Sequence, residues 1–333
     1  MMTTEFRQQV LAPIQAQFPS VRLPDIPKWS VGADLSAVVE LTTDQLSGNM
    51  QQNTAAAPLF LLCLVLRLRA AGRPWRAIVR VKGGVTLPSG PLSPGQRHFA
   101  RSMFLLQLYR ELFSDFFQVE SGGTPCDEIW EIPERAVLNQ ESDARTRLQP
   151  KSKGNLEHEL EAHFITHKGD GSPQEQFARI AGRIGAFRRQ LPLGLFRDGV
   201  VSKATAVMPT GKSAVDAWTT SSDGKTFHLL ELKAGGNLSV GTLAEVLSYS
   251  TLLAKYRADD IGHVGPLGAA LAAVRSAQDI TGWFATPRQH PLVGDEADVV
   301  ISAFNKALRP RRVALRTMSV KGRPPSVTLA ATR

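Results

Sequence analysis

The chain has 333 residues, 43% of them hydrophobic and 21% charged, a globular mix that excludes a disordered or collagen-like protein. At roughly 150 residues per domain, this length suggests about two domains with cores large enough to need no disulfide staples. The net charge of +9 is uneven: residues 1–150 carry 15 basic against 14 acidic side chains and 151–333 carry 24 against 16, which suits a polyanionic partner for the second half.

The N-terminus, MMTTEFRQQVLAP, has no charged-then-apolar leader pattern, and Cys63 and Cys126 are too few for a disulfide framework. A soluble, cytoplasmic protein with two inert thiols and no membrane contact is the expectation. The longest apolar run, Leu59 to Leu66, is about half of what a bilayer span needs. With the alternating Arg67-Leu68-Arg69 it reads as a strand, and 59–69 and 75–82, separated by Ala70 to Pro74, read as a hairpin. Ser93-Pro94-Gly95-Gln96 supplies an N-cap, an early proline and a capping-box Gln. Phe99, Met103, Leu106, Arg110, Phe113 and Phe117 then repeat at helical spacing. These features predict a small α+β N-terminal domain over 1–140, which would recognise a substrate or a protein partner. The polar, turn-rich stretch that follows predicts a linker over 141–153.

Residues 154–333 alternate helix and strand patterns. Asn155 to Phe164 opens a helix and 174–190 forms a basic one closed by Pro192. Strands are expected near 200–208, 213–219 and 226–234, then helices over 241–257 and 266–278. A strand near 280–286, a helix near 295–308 and a last strand near 311–320 complete the order. That order predicts a three-layer α/β domain with a mixed sheet. His163 and His167 stand one helical turn apart with no third ligand in sight, so they read as lining the helix. Arg179, Arg183, Arg188 and Arg189, and likewise Arg309, Arg311 and Arg312, suit phosphate contacts or a solvated face equally well.

The informative segment is Ser213-Ala214-Val215-Asp216-Ala217-Trp218 followed by Phe227 to Ala234. Asp223-Gly224 between the two runs is a signal for a two-residue type I′ hairpin loop. With that loop at the tip, Ser222 faces Lys225 and Asp216 faces Glu231. Opposed residues share a face, as do residues two apart on a strand, so Asp216, Glu231 and Lys233 gather on one patch. Two adjacent carboxylates repel unless a proton or a cation neutralises them. Oxygen-rich sites of this kind hold Mg²⁺, with waters and substrate phosphates completing the shell. Lys233 can stabilise charge that develops during phosphodiester hydrolysis.

Asp216, then Glu231-Leu232-Lys233 between apolar flanks about fifteen residues on, resembles the core motif of the PD-(D/E)XK nuclease superfamily. Val215 stands where that family has its proline. The upstream helix matches the family's Glu-x-x-Leu-x-x-x-Phe pattern at Glu157, Leu160 and Phe164. Around the helix, Glu157 lies nearest the inward stripe of Leu156, Leu160, His163 and Phe164, Glu159 slightly further and Glu161 furthest. Downstream, Glu245-Val246-Leu247-Ser248-Tyr249 resembles the Gln-x-x-x-Tyr signature of the lambda-exonuclease and RecB-like branch, with Glu in place of Gln. Positions four apart share a helix face. The resemblance covers about residues 154–320 and implies a restriction-endonuclease-like fold for the second domain. It implies a Mg²⁺-dependent nuclease, with Mn²⁺ able to substitute and DNA the favoured substrate, in a restriction or phage-defence setting. Asp216, Glu231 and the Leu232 carbonyl would hold the metal, Lys233 would activate or stabilise, and Glu157, Glu245 and Tyr249 would assist. The alternative is a catalytically inactive module on the same fold that binds nucleic acid or a protein in a defence or repair complex.

Overall fold

The computed structural model describes all residues except 50–53, 88, 140–155, 210–213, 234–239, 295–297, 325 and 332–333. The linker expected over 141–153 lies outside the described residues. At the N-terminus the Thr3 hydroxyl accepts from Phe6 N–H and caps α1 (Thr4–Phe6), which continues through a π-type segment (Arg7–Leu11) into α2 (Ala12–Gln17). Phe6 packs 5.6 Å from Trp29, centroid to centroid, on β1 (Lys28–Gly32). β1 pairs antiparallel with β2 (Ser36–Thr42), and a Thr42/Gln45 capping box starts α3 (Thr43–Leu46). Helix α4 (Ala57–Ala70) returns the chain to β3 (Arg76–Lys82), parallel to β2. Helix α5 (Pro94–Leu112) carries the expected Ser93/Gln96 capping box and leads to β4 (Phe117–Ser121), parallel to β3; β5 (Thr124–Pro125) turns back at the edge. The first sheet therefore has the order β1-β2-β3-β4-β5.

Strand β6 (Val137–Leu138) precedes helices α6 (Leu156–Thr166) and α7 (Pro173–Ala181). Then come β7 (Arg188–Pro192), β8 (Leu195–Phe196), β9 (Ala214–Thr220) and β10 (Thr226–Leu232). Helix α8 (Gly241–Arg257), β11 (Gly262–His263) and α9 (Ala269–Ser276) lead to β12 (Asp279–Thr286). The chain closes with α10 (Val299–Leu308), β13 (Val313–Arg323) and β14 (Ser326–Ala331). The second sheet runs β14-β13-β12-β10-β9-β7, and β11-β6-β8 form a small third sheet that joins the two halves. The fold is mixed α/β, and no described helix is long and apolar enough to cross a membrane.

Five strands of the second sheet repeat the connectivity of the first, and β7 adds a sixth at the β9 edge. An antiparallel hairpin is followed by helix, parallel strand, helix, parallel strand and an antiparallel edge strand. Four of the crossover helices meet between the sheets: α4 packs on α10, and α5 on α8. Exchanging the halves maps one contact onto the other, as a two-fold axis would. Phe304 of α10 sits against Phe113 and Tyr109 of the first half, and Arg67 of α4 reaches Asp298 at 2.8 Å. One apolar cluster runs from Phe6 through this helix layer to Leu315, so the halves share a core. The outer face of the second sheet is covered separately by α6 and α7 through Leu160, Phe164 and Phe177.

Several expected elements differ. Residues 59–69 are the helix α4 and not a strand, so there is no hairpin with 75–82. Leu59 to Leu66 is buried on every side, which erases the helical period, while Pro58 in the first turn marks its start. The first sheet has parallel crossovers, not the hairpin-plus-helix plan expected for it. The helix expected over 174–190 ends at Ala181 because Gly182 adopts a left-handed φ of 89°, and Arg188–Pro192 becomes an edge strand on β9. The strand expected near 200–208 is a turn-rich loop with a single bridge, Phe196 to Ala206. Helix 266–278 is shortened to Ala269–Ser276.

Candidate active site

The β9–β10 hairpin sets the register of the site. Thr220 pairs with Phe227, Thr219 with His228, Trp218 with Leu229 and Ala217 with Leu230, the register expected from the sequence. The turn differs: Gly224 N–H closes onto Ser221 C=O at 2.9 Å and only Gly224 has positive φ, so it is a type I turn followed by a left-handed glycine. The Asp223 carboxylate takes the Ser221 hydroxyl and Lys225 N–H and fixes this turn.

One rung beyond Ala217–Leu230 the two strands carry Asp216 and Glu231, on the face that Trp218 and Leu229 present to α8. Asp216 Oδ2 accepts from Leu232 N–H at 2.7 Å, which ties its carboxylate to the end of β10. The Leu232 side chain points the other way, into the cluster under α6 and α7. Lys233 N–H donates to Ala285 C=O at 2.8 Å, which extends the pairing with β12 one residue past β10.

Lys233 Nζ is the centre of the site. It donates to Glu231 Oε1 at 2.7 Å and lies 3.5 Å from Glu157 of α6 and 3.6 Å from Glu245 of α8. Three elements thus converge on one ammonium. Helix α8 comes close because Gly282 of β12 leaves room: a Cβ there would meet Ser250 Oγ and Val246 Cγ1, each at 2.5 Å. Tyr249, one turn on from Glu245, is buried on the same helix. Asp216, Glu231, Lys233, Glu157, Glu245 and Tyr249 are therefore all placed at or around one point.

Electrically the cluster has too few cations. Burial and the neighbouring Glu231 push the Asp216 carboxyl well above its usual range. Burial raises the Glu231 carboxyl to about 8, against the pull of Lys233, with Glu245 adding to the rise. Burial disfavours the charged form of Lys233, but the carboxylates of Glu231, Glu245, Asp216 and Glu157 outweigh it and hold the ammonium charged. Burial, Glu231 and Glu245 push the Tyr249 phenol up, with Arg101 opposing. Glu231 Oε2 and Glu245 Oε2 are buried with no hydrogen-bond partner among the described residues. Among those residues, no three His, Cys, Asp or Glu side chains are already drawn together for a metal; the carboxylates surround an ammonium instead.

Two parts of the site escape sequence reasoning. Glu161, ranked furthest from the inward stripe, is buried, while Glu159 is exposed. Glu161 accepts from Arg189 at 3.2 Å and from Gln190 at 3.3 Å, and Gln190 holds a left-handed φ of 36° there. The buried residues of α6 are Leu160, Glu161, His163 and Phe164, with Glu157 half-buried beside them, and β7 offers Arg189 and Gln190 to Glu161. The second is Arg101 on α5, from the other half of the chain. It is 4% exposed, its Nη2 reaches His98 at 3.3 Å and Asn49 at 3.5 Å, and its Nε has no partner among the described residues. No described carboxylate pairs with it, yet its charge acts on Tyr249. A buried arginine without a carboxylate is a costly arrangement, and the sequence offers no signal for it.

His163 and His167 pack ring against ring at 4.6 Å, Cys63 is buried with its thiol pushed up to about 12, and Arg188 lies over the Trp218 ring at 5.5 Å. No protein-family model, curated protein or solved structure matches this chain.

Proposed function

We propose that the protein is a Mg²⁺-dependent nuclease that hydrolyses phosphodiester bonds, with DNA favoured over RNA and Mn²⁺ able to substitute. The observation that carries this reading is the convergence of Asp216, Glu231, Glu245 and Glu157 about Lys233 at the mouth of the β9–β10 hairpin. The donor set fits a hard divalent cation. It is all oxygen, it has more carboxylates than cations, and two buried carboxylate oxygens lack a hydrogen bond among the described residues. Asp216 and Glu231, with the Leu232 carbonyl, would hold the ion, and Glu245 and Glu157 flank it. Bound there, the ion supplies Lewis-acid polarisation of a phosphodiester and stabilises charge on its oxygens.

The chain's own groups do the rest. Lys233 stays charged and presents its ammonium to the charge that develops on the reacting phosphate. Glu231 and Glu157 orient that ammonium. Tyr249 and Glu245, a turn apart on α8, form the wall opposite the hairpin. Arg101 brings an unneutralised cation from the first half to a polyanionic substrate. The similarity to PD-(D/E)XK nucleases lies in these same positions and supports a restriction or phage-defence role.

The test is cleavage of a plasmid and of single- and double-stranded oligonucleotides with Mg²⁺ or Mn²⁺, with and without chelator. Metal-dependent cleavage that disappears in Asp216→Asn is the expected result. Metal-independent cleavage, or equal cleavage by the variant, overturns the assignment. Salt-sensitive binding with no cleavage favours the inactive module.

A further inference from the structure

Away from this site, the last turns of α8 line a second cavity. It is a cleft of 430 Å³ walled by Thr251, Ala254, Lys255, Arg257, Ala258 and Asp260 of α8 and its cap, and by Pro310, Arg311 and Arg312 at the start of β13. A narrower slot of 30 Å³ shares Thr251, Lys255 and Arg311 with it and continues toward Phe104, Trp130 and Ile132 of the first half. The cavity therefore lies where the two halves meet. Its size falls in the range of small-molecule sites and is too confined for a duplex.

Its charges are only partly spoken for. Arg312 grips Asp279 through two nitrogens at 3.0 and 3.1 Å, and Arg311 pairs with Glu111. Lys255 is held only loosely, 3.8 Å from Asp260. Arg257 has no carboxylate partner among the described residues: its two donors go to the Gln278 and Arg311 carbonyls, which satisfy its N–H groups but not its charge. Burial disfavours that charge most, the Asp279 carboxylate supports it, and the adjacent Arg312 opposes it. The Thr251 hydroxyl lines both cavity and slot, is buried, and has no hydrogen-bond partner among the described residues. The indole N–H of Trp130, a slot residue, is likewise without one. Unused buried donors beside four clustered cations, of which Arg257 has no paired carboxylate among the described residues, describe a place prepared for an anion with several oxygens.

We propose that this cleft binds a small phosphate-bearing ligand of nucleotide size. Its phosphates lie against Lys255, Arg257 and Arg312, and its flat part lies over Ala254 and Ala258 within the 430 Å³ cleft, at the mouth of the slot. Mononucleotides are favoured over bare phosphates because Ala254 and Ala258 add apolar wall to a cationic mouth. The site does not depend on the nuclease reading, and it sits on the helix that carries Glu245 and Tyr249.

The experiment is titration calorimetry and thermal unfolding of the full chain with ATP, inorganic pyrophosphate, adenosine and a short DNA duplex. ATP should bind saturably below about 1 mM and raise the unfolding temperature, pyrophosphate should bind more weakly, and adenosine should not bind. Lys255→Glu should weaken ATP at least tenfold. Ala258→Trp, which fills the cleft while leaving every charge in place, should do the same. Both variants should keep the wild-type circular dichroism and unfold cooperatively. Absence of saturable ATP binding, equal binding by adenosine, or ATP affinity unchanged in both variants overturns the proposal. Lys255-dependent binding of the duplex alone also overturns it, in favour of a nucleic-acid track.

Discussion

The two sheets share one connectivity and differ in what they place at equivalent points. Counting from the first rungs of the parallel ladders, Ser36 with Arg76 and Thr226 with Asp279, puts Trp29 where the second half has Trp218 and Val39 where it has Leu229. The same count puts Leu41 at the place of Glu231, Thr43 at that of Lys233, and Pro27 at that of Asp216. The tryptophans match because both pack the inner face of a hairpin against crossover helices. The carboxylates have no counterpart: Leu41 is buried among apolar side chains, and Val79 fills the position of Gly282, whose absent side chain lets α8 approach. One scaffold thus serves twice, once as an apolar support and once as a chemical site. The support still acts on the site, since the charge of Arg101 on α5 bears on Tyr249. The polar half bears the cost of buried carboxylates that outnumber the cations about Lys233 among the described residues, a cost that proteins accept where function needs it.

The largest expected effect makes the second half resemble the first. Asp216→Asn and Glu231→Gln should each lower metal-dependent cleavage by about 10³-fold or more, measured on a labelled oligonucleotide. Neither should lower the unfolding temperature of the metal-free protein, because each removes a buried carboxyl whose charged form is disfavoured. A loss of cleavage accompanied by unfolding would mean the carboxylates are structural.

Removing the only cation at the centre of the cluster tests the opposite direction. Lys233→Met leaves Glu231 and Glu245 buried without their ammonium and should cost about 3–5 kcal/mol in denaturant unfolding. Placing a carboxylate at the matching point of the first half, Leu41→Glu, should cost a similar amount, since no cation waits there. If Leu41→Glu is tolerated while Lys233→Met is not, the two halves are less alike than their topology.

Gly282→Ala forces a Cβ into Ser250 and Val246. It should destabilise by about 1–3 kcal/mol and lower cleavage by moving Glu245 away from Lys233. The reciprocal Val79→Gly, in the first half, should affect stability without a specific effect on cleavage.

The pH dependence of stability should report the same asymmetry. Glu231 titrates near 8 in the folded chain and near 4.3 when unfolded, so between these values the folded state binds the extra proton. Stability without metal should therefore fall as pH rises from about 6.5 to 8. His228 and His290, which burial depresses to about 4, act in the opposite sense below 6.5. The decline should flatten in Glu231→Gln, and the gain in unfolding temperature from Mg²⁺ should be larger at pH 8 than at pH 6, because the ion competes with protons.

What the sequence disclosed follows the same physics. The β9–β10 register was legible because alternation and the Asp223-Gly224 turn constrain a hairpin locally, and that alone brings Asp216 to Glu231. Helix α8 was legible at both ends. Helix α4 was not, since burial on all sides removes the period that a half-exposed helix shows. Glu161 was ranked furthest yet is buried, because its partners Arg189 and Gln190 stand on a strand that the sequence reads as helix. The repeated connectivity was invisible because strand order and crossover are shared while the side chains at the chemical positions are not.

The smallest expected effect concerns Arg101, whose charge acts from the first half on Tyr249 of the second. Arg101 is buried without a carboxylate partner among the described residues, so its charge is an expense to the fold unless an anion meets it. Arg101→Ala should change stability by less than about 1 kcal/mol, the net of lost packing and a relieved charge. It should raise KM for DNA about tenfold while leaving kcat within a few-fold, and Arg101→Lys should recover part of the loss. It should also reduce the steepness with which binding weakens in salt, because one fewer cation meets the phosphates. A purely structural arginine would instead lower stability and leave both KM and the salt slope unchanged. That result would return the first half to the role of an inert support.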